Sequence, residues 1–296
     1  MASIAERFGR WKRSEGARGL TLVSPPFLYA ALMLAGPLAF VVLLSFWTQD
    51  YLTIQRELSL SNYITAWTEP LYRVLMLRSL TISVAVTLVT VLLAFPIAYY
   101  VSFYVRPERK ALWIFLITIP FWTSYLLRVF LWKVILGYNG VLNTGLLGLG
   151  LIDEPLTFIL YNANAVVITL AHAWAPFAIL PIFVSLEKID RSLLEAGRDL
   201  GEGYLATFWR VTLPLAMPGV VAAVLIVFIP TIGDYVTPAL VGGPDGRMIA
   251  NMIQIQFMKL NNMPLGAALS LSAMFIVGSV ALVFLFLNRR FLKVRQ

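Results

Sequence analysis

The stretch from Ser79 to Phe103 holds no charged residue, and neither does Leu265 to Leu287. As helices, runs of this length cross the hydrocarbon core of a bilayer, which is roughly 30 Å thick and takes about 20 residues. Within that core the backbone must satisfy its own hydrogen bonds, because no water is there to do so. That requirement constrains the chain more than any other feature and predicts an all-α integral membrane protein. Composition agrees: 59% of the 296 residues are hydrophobic, 13% are charged, and the mean hydropathy is +0.81. Soluble domains carry about 25% charged residues.

Reading the other apolar runs in the same way predicts six spans, at about 24–47, 79–103, 111–135, 163–186, 217–240 and 265–287. The first is expected to start at Ser24-Pro25-Pro26, with proline in the first turn. Prolines within spans (Pro37, Pro96, Pro120, Pro176, Pro181, Pro230) are compatible with this reading, since neighbouring helices re-satisfy the freed backbone groups. The expected organisation is an N-terminal segment 1–23, a six-helix domain 24–288 and a tail 289–296. The N-terminal apolar run is span length and no small-residue cleavage site follows it, so no cleavable signal peptide is expected. There is no cysteine, hence no disulfide or thiol chemistry.

Lysine and arginine in the loops predict the orientation. Arg7, Arg10, Lys12, Arg13 and Arg18 precede the first span. Arg106, Arg109 and Lys110 follow the second; Lys188, Arg191, Arg198 and Arg210 follow the fourth; Arg289, Arg290, Lys293 and Arg295 end the chain. Together these are sixteen of the twenty-three basic residues. The alternate loops hold Arg56, Arg73, Arg78, Arg247 and Lys259. Both termini and residues 187–215 are therefore expected in the cytoplasm. The net charge of +8 reads as a topology and lipid-headgroup signal, not a nucleic-acid footprint.

The loop after the fourth span is unusual. "SLLEAGRDLGEGYLATFWRVTLP" (192–214) is charged and helix-like in a chain that is mostly hydrocarbon. At helical spacing Leu193, Gly197, Leu200, Tyr204 and Phe208 share one face, while Glu195, Arg198, Asp199 and Glu202 share another. An amphipathic helix lying against the bundle is expected. Gly197 and Gly201 weaken such a helix by about 1 kcal/mol each relative to alanine, which predicts a close approach to the backbone.

The residues of this loop resemble the EAA loop of the permease subunits of ATP-binding-cassette importers. Its pattern is Glu-Ala-Ala, three residues, Gly, nine residues, then Ile, any residue, Leu-Pro. Here it reads Glu195-Ala196-Gly197, Gly201 and Val211-Thr212-Leu213-Pro214, with every spacing kept. The departures are Gly197 and Val211. "PFWTSYLLRVFLW" (120–132), "NGVLN" (139–143), "SLEKIDRSLLEAGRDLG" (185–201) and "GDYVTPALVGGPDGRMI" (233–249) are similar to the spermidine/putrescine group. Ala239 departs from polyamine-type relatives, which often carry an acid there.

The resemblance implies a type I importer permease fold in a bacterial inner membrane. It implies half of a translocation path for a small organic solute, most simply a polyamine, with Glu195 to Pro214 as the coupling helix. The implied partners are a cytoplasmic ATPase dimer, which would bind the ATP and magnesium, a second homologous permease, and an external solute-binding protein. An amino-acid derivative or opine is the alternative solute within the same family.

Independently of that resemblance, the chain has no Gly-x-x-x-x-Gly-Lys-Ser/Thr phosphate loop and no Gly-Lys pair. Its single histidine, His172, reads as an interhelical hydrogen bonder, and no enzymatic chemistry or bound cofactor is expected in this chain. Asp234 lies between Pro230 and Pro238, where a helix break is expected. It either lines the path, with Tyr235, Trp122 and Tyr125 as candidate neighbours, or pairs with Arg128 or another polar group to hold spans together. Arg128 and Lys133 are otherwise read as snorkelling outward. An ion-coupled secondary transporter is a second reading, but that class needs more spans and mid-membrane carboxylates. A membrane assembly factor is a third, and it leaves the EAA spacing unexplained.

Overall fold

A computed structural model of the chain describes residues 15–51 and 53–292. Arg7, Arg10, Lys12, Arg13, Lys293 and Arg295 lie outside the described residues, as do the side chains of Arg18 and Arg198. In order, the first elements are α1 (Glu15–Ser45), a short hairpin of β1 (Thr48–Asp50) and β2 (Thr53–Gln55), α2 (Ser61–Thr68) and α3 (Pro70–Phe103). Next come α4 (Pro107–Thr118), a 3₁₀ turn (Ile119–Trp122), α5 (Tyr125–Ile135), α6 (Val141–Gly148) and α7 (Ala163–Glu187). The charged stretch after α7 holds α8 (Arg191–Asp199), α9 (Tyr204–Thr207) and a π-turn (Phe208–Thr212). Last are α10 (Leu213–Ile232), α11 (Val236–Val241), α12 (Ile249–Met258) and α13 (Met263–Leu292).

Among the described residues five helices are long and apolar enough to cross a membrane, and a sixth span forms if the bent pair at 107–135 is taken as one. The third span, expected at 111–135, is bent by 87° between Trp122 and Tyr125. Pro120 has no N–H to continue the helix, and the chain becomes extended at Thr123 (φ −89°, ψ 151°). Thr123 Oγ1 donates to Pro120 O at 2.7 Å, pairing one carbonyl at the break. The first helix also begins earlier than expected, so Pro25 and Pro26 lie inside it rather than in its first turn. Ser24 Oγ donates to Thr21 O, the carbonyl that Pro25 leaves unpaired.

The core is the triangle of α3, α7 and α10. Small residues fill it: Ala94, Ala98, Ala165, Ala178, Ala216 and Ala223 are all at most 1% exposed. In a bilayer, helices gain little from burying hydrocarbon against hydrocarbon, so close packing of small residues must hold them together. The tightest crossing is at Gly219. A Cβ there would lie 2.6 Å from Ser185 Cβ and closer still to Pro181 O. The Gly219 N–H donates to Ser185 Oγ at 3.0 Å, tying α10 to α7.

The fifth span also differs from expectation. The helix runs unbroken from Tyr204 to Ile232 instead of 217–240, and the chain then turns back through α11 into α12. Residues read as an external loop, 241–264, thus pack into the bundle. The turn between α11 and α12 depends on Gly243, at φ +56°, and on the contact of Gly246 with Gly242. Ser79 Oγ accepts from the Ile249 N–H at 2.7 Å, fixing the start of α12. Ser79 is about 14 Å along α3 from Pro70 at 1.5 Å per residue, so α11 and α12 dip well into the bundle.

Loops gather at two ends. Gln49 Nε2 donates to Asn261 O at 2.9 Å at one end. At the other, Lys110 meets Glu187 at 2.6 Å. This is the alternation that six spans require.

Candidate functional site

The candidate coupling segment is two pieces joined by an elbow, not one helix from Glu195 to Phe208. Asp190 starts α8: its Oδ1 accepts from the Ser192 N–H at 3.0 Å. The hydrogen bonding from Ser192 holds the Asp190 carboxyl below its usual range. The helix stops because Gly201 takes φ +81°, a left-handed conformation that glycine adopts without strain. The Glu202 N–H then reaches back to Gly197 O at 3.0 Å, the six-to-one bond of a Schellman stop.

Each glycine therefore has its own cause. No heavy atom lies within 4 Å of a Cβ built on Gly201, so its role is conformational rather than close packing within the chain. Gly197 is buried, and a Cβ there would touch Thr207 Oγ1 at 3.4 Å and Thr207 Cγ2 at 3.5 Å. An alanine fits that contact and a larger side chain does not. This accounts physically for a small residue at this point of the pattern.

Beyond the elbow, the Leu213 N–H bonds back to Phe208 O across the π-turn. Pro214 has no N–H for the carbonyl four residues back, and its ring crowds that carbonyl. A widened turn just before it relieves the conflict, and such turns recur at functional positions. Phe208 packs edge-on against Phe95 (5.7 Å) and Tyr99 (6.1 Å) of α3. Glu202 and Arg210 pair at 2.7 Å on the surface, a contact of the kind that contributes little.

The expectation that the apolar face lies against the bundle holds for Gly197 and Phe208 and fails for the rest of that face. Leu200 is 85% exposed, Leu205 77% and Tyr204 76%, with Leu193 and Trp209 also exposed. Glu195 and Ala196 are exposed too, while Leu213 and Pro214 are half-buried. Gly197, Thr207 and Phe208 are what face inward. The elbow turns an apolar rim away from the protein.

The second constellation lies at the two helix breaks. Tyr125 OH donates to Asp234 Oδ2 at 2.5 Å and meets Thr237 Oγ1 at 2.7 Å. Asp234 Oδ1 accepts from the Val236 N–H (2.9 Å) and the Thr237 N–H (3.4 Å), opening α11. Tyr235 O accepts from Asn251 Nδ2 at 2.7 Å. So Tyr125 and Asp234 come together and Tyr235 adjoins them. Trp122 does not join: it is 75% exposed and its ring meets Phe115 at 5.5 Å.

Of the partners expected for a span-holding Asp234, Arg128 is not found, and Tyr125 is the polar group that takes its place. Among the described residues the salt bridges are Lys110–Glu187 and Arg210–Glu202, and Arg128 is in neither. Nor does Arg128 snorkel. It is buried, with its guanidinium 4.8 Å from the Phe121 ring centre and 5.9 Å from that of Tyr125. His172 does bond between helices, accepting from Trp132 Nε1 at 3.1 Å. Asn251, Ser79 and Thr237 carry part of this framework. Sequence reasoning missed them because short polar side chains in a hydrophobic run give no periodic signal.

Residues 62–293 match the family described as "Binding-protein-dependent transport system inner membrane component". The chain is 38% identical over 241 residues to the spermidine/putrescine transport system permease protein PotB of Escherichia coli (strain K12), covering 81% of this chain and 86% of that protein. It is 35% identical over 254 residues to PotB of Haemophilus influenzae, covering 86% and 88%. In fold it is similar to a chain of a bacterial alginate ABC transporter solved in complex with an alginate pentasaccharide-bound periplasmic protein. The TM-score there is 0.73 at 16% identity, over 96% of this chain and 98% of that one. The exposed elbow, the broken spans and these likenesses agree: the chain belongs to the binding-protein-dependent inner-membrane transport components, as a permease subunit of an ATP-binding-cassette importer.

Proposed function

We propose that the chain forms one half of a membrane path for a polyamine of the spermidine/putrescine type, delivered by an external solute-binding protein. The observation that carries the solute class is the 38% identity to a spermidine/putrescine permease over 241 residues. A second, homologous permease would complete the path. A cytoplasmic ATPase pair, holding the ATP and magnesium, would drive it.

The exposed rim of Leu193, Leu200, Tyr204 and Leu205 is the docking surface for that ATPase. An apolar rim turned outward by a built elbow is what a partner groove covers. Glu195 and Ala196 flank it, and Leu213 and Pro214 set the angle at which the segment enters α10. Residues 187–215 and both termini then face the cytoplasm, in keeping with the sixteen basic residues on that side.

Asp234 and Tyr125, with Tyr235 adjoining, line the path. Asp234 is half-buried, and three donors hold its carboxylate in place. A fixed carboxylate in a low-dielectric passage offsets part of the desolvation of a passing cation.

The test is uptake of radiolabelled spermidine by proteoliposomes containing both permeases and the ATPase, with binding protein and ATP. Uptake that requires all components is expected. Uptake by this chain alone under an ion gradient would overturn the proposal, and a complete complex that moves other solutes but no polyamine would overturn the solute class.

A further inference from the structure

The start of α8 is fastened to three spans through one carboxylate. Glu187, the last residue of α7, accepts at Oε1 from Ser102 Oγ (2.6 Å) and from Lys110 Nζ (2.6 Å). Ser102 lies in the last turn of α3 and is 1% exposed; Lys110 lies in the first turns of α4. Arg191, the first residue of α8, donates to Ser102 O at 3.1 Å and lies over the Phe103 ring at 5.8 Å. Between Glu187 and Arg191, Ile189 is buried in the core cluster. The ends of α3, α7, α4 and α8 thus meet around one ion pair, in which the Lys110 side chain is 13% exposed and the Glu187 side chain, at 34%, is open to solvent.

We infer that Ser102, Lys110, Glu187 and Arg191 form the joint that transmits displacement of the coupling segment to the spans. This rests on the reading of residues 187–215 as the ATPase-facing segment and adds the residues that make its motion productive. The Glu187 carboxylate is held by both Ser102 and Lys110, and removing it leaves the more deeply covered Lys110 ammonium without its counter-charge. The far end of α8 is held separately, by the contact of Gly197 with Thr207 and by Phe208 against Phe95 and Tyr99. Cutting the joint therefore leaves the rim in place for docking. Displacement of α8 is then absorbed at residues 188–190 and no longer carried to α3, α4 and α7.

The experiment uses the whole complex in proteoliposomes, with the variants Glu187→Gln, Lys110→Met and the exchange Glu187→Lys with Lys110→Glu. Three quantities are read: ATPase co-purification, ATP hydrolysis, and spermidine taken up per ATP hydrolysed. Co-purification and hydrolysis should persist in the single variants, while uptake per ATP falls by about tenfold, the scale of a typical coupling free energy. The exchange should restore most of the wild-type ratio. An unchanged ratio in both single variants overturns the joint, as does an exchange that assembles normally without rescue. Should Glu187→Gln fail to assemble, Ser102→Ala removes one hydrogen bond without stranding a charge, and an unchanged uptake ratio in that variant also overturns the joint. Failure of the underlying reading looks different: the wild-type chain would not co-purify with the ATPase at all.

Discussion

Substitution at Gly201 separates two reasons for a glycine in the coupling segment. If the residue is there so that a partner backbone can come close, the effect of a substitution should follow side-chain size. If it is there for its conformation, the effect should follow tolerance of positive φ. The angle of +81° and the empty space around a built Cβ favour conformation. A left-handed residue other than glycine costs about 1–2 kcal/mol, and asparagine less than alanine because its amide bonds locally. The nine residues of α8 are too few for a stable isolated helix, so its folded stop is not in large excess. Gly201→Ala should therefore deplete the docking-competent form and raise the apparent Kd for the ATPase by about fivefold, and by at most about thirtyfold. Gly201→Asn, although larger, should raise it by less than about twofold by the same relation. Titration of the ATPase against permease complex in nanodiscs reads both values. A ranking by size, with alanine the milder substitution, would refute the conformational reasoning.

Gly219→Val should separate α7 from α10, because its side chain meets Ser185 and Pro181. Overpacking of this kind costs about 1–3 kcal/mol, visible as a lower Tm in detergent. Gly197→Ala should be silent in the same assay and Gly197→Leu destabilising, since Thr207 lies at contact distance from the Cβ. Tyr125→Phe removes the donor to Asp234, a hydrogen bond to a charged group worth about 1.5–3 kcal/mol; it should lower both Tm and uptake, and an unchanged Tm would remove the pair from the framework. Asp234→Asn should reduce spermidine uptake while the complex still assembles, and failure to assemble would assign the carboxylate a purely structural part. The chain has no cysteine, so single cysteines at Ser192 and Thr53 can be labelled cleanly and should react from opposite faces of the membrane; reaction from one face would refute the topology.

What was legible from sequence was what repeats or keeps a fixed local spacing. Uncharged runs mark spans such as 79–103 and 265–287, and the Glu195 to Pro214 spacing marks the candidate coupling segment. The bend in the third span was not legible, because proline is tolerated in membrane helices and Pro120 looks like Pro96, which α3 carries straight through. Residues 249–258 were read as loop since they are too short for a span and flanked by Arg247 and Lys259, yet Ser79 and Asn251 seat them in the bundle. The Tyr125–Asp234 and Lys110–Glu187 contacts join positions 109 and 77 residues apart. Such pairings are set by helix packing and leave no local trace. The direction of the apolar rim was misjudged for a related reason: hydrophobic periodicity shows that a face exists, not whether the chain itself or another protein covers it.

The central claim, that this rim is the ATPase docking surface, is tested most directly by a photo-crosslinking amino acid placed at Leu200 in the assembled complex. Leu200 is 85% exposed and lies beside the Gly201 stop, so the probe should not disturb the fold. A crosslink to the ATPase, at a yield that changes when ATP is added, is the expected result. Crosslinks confined to this chain, to the other permease or to lipid would contradict the claim.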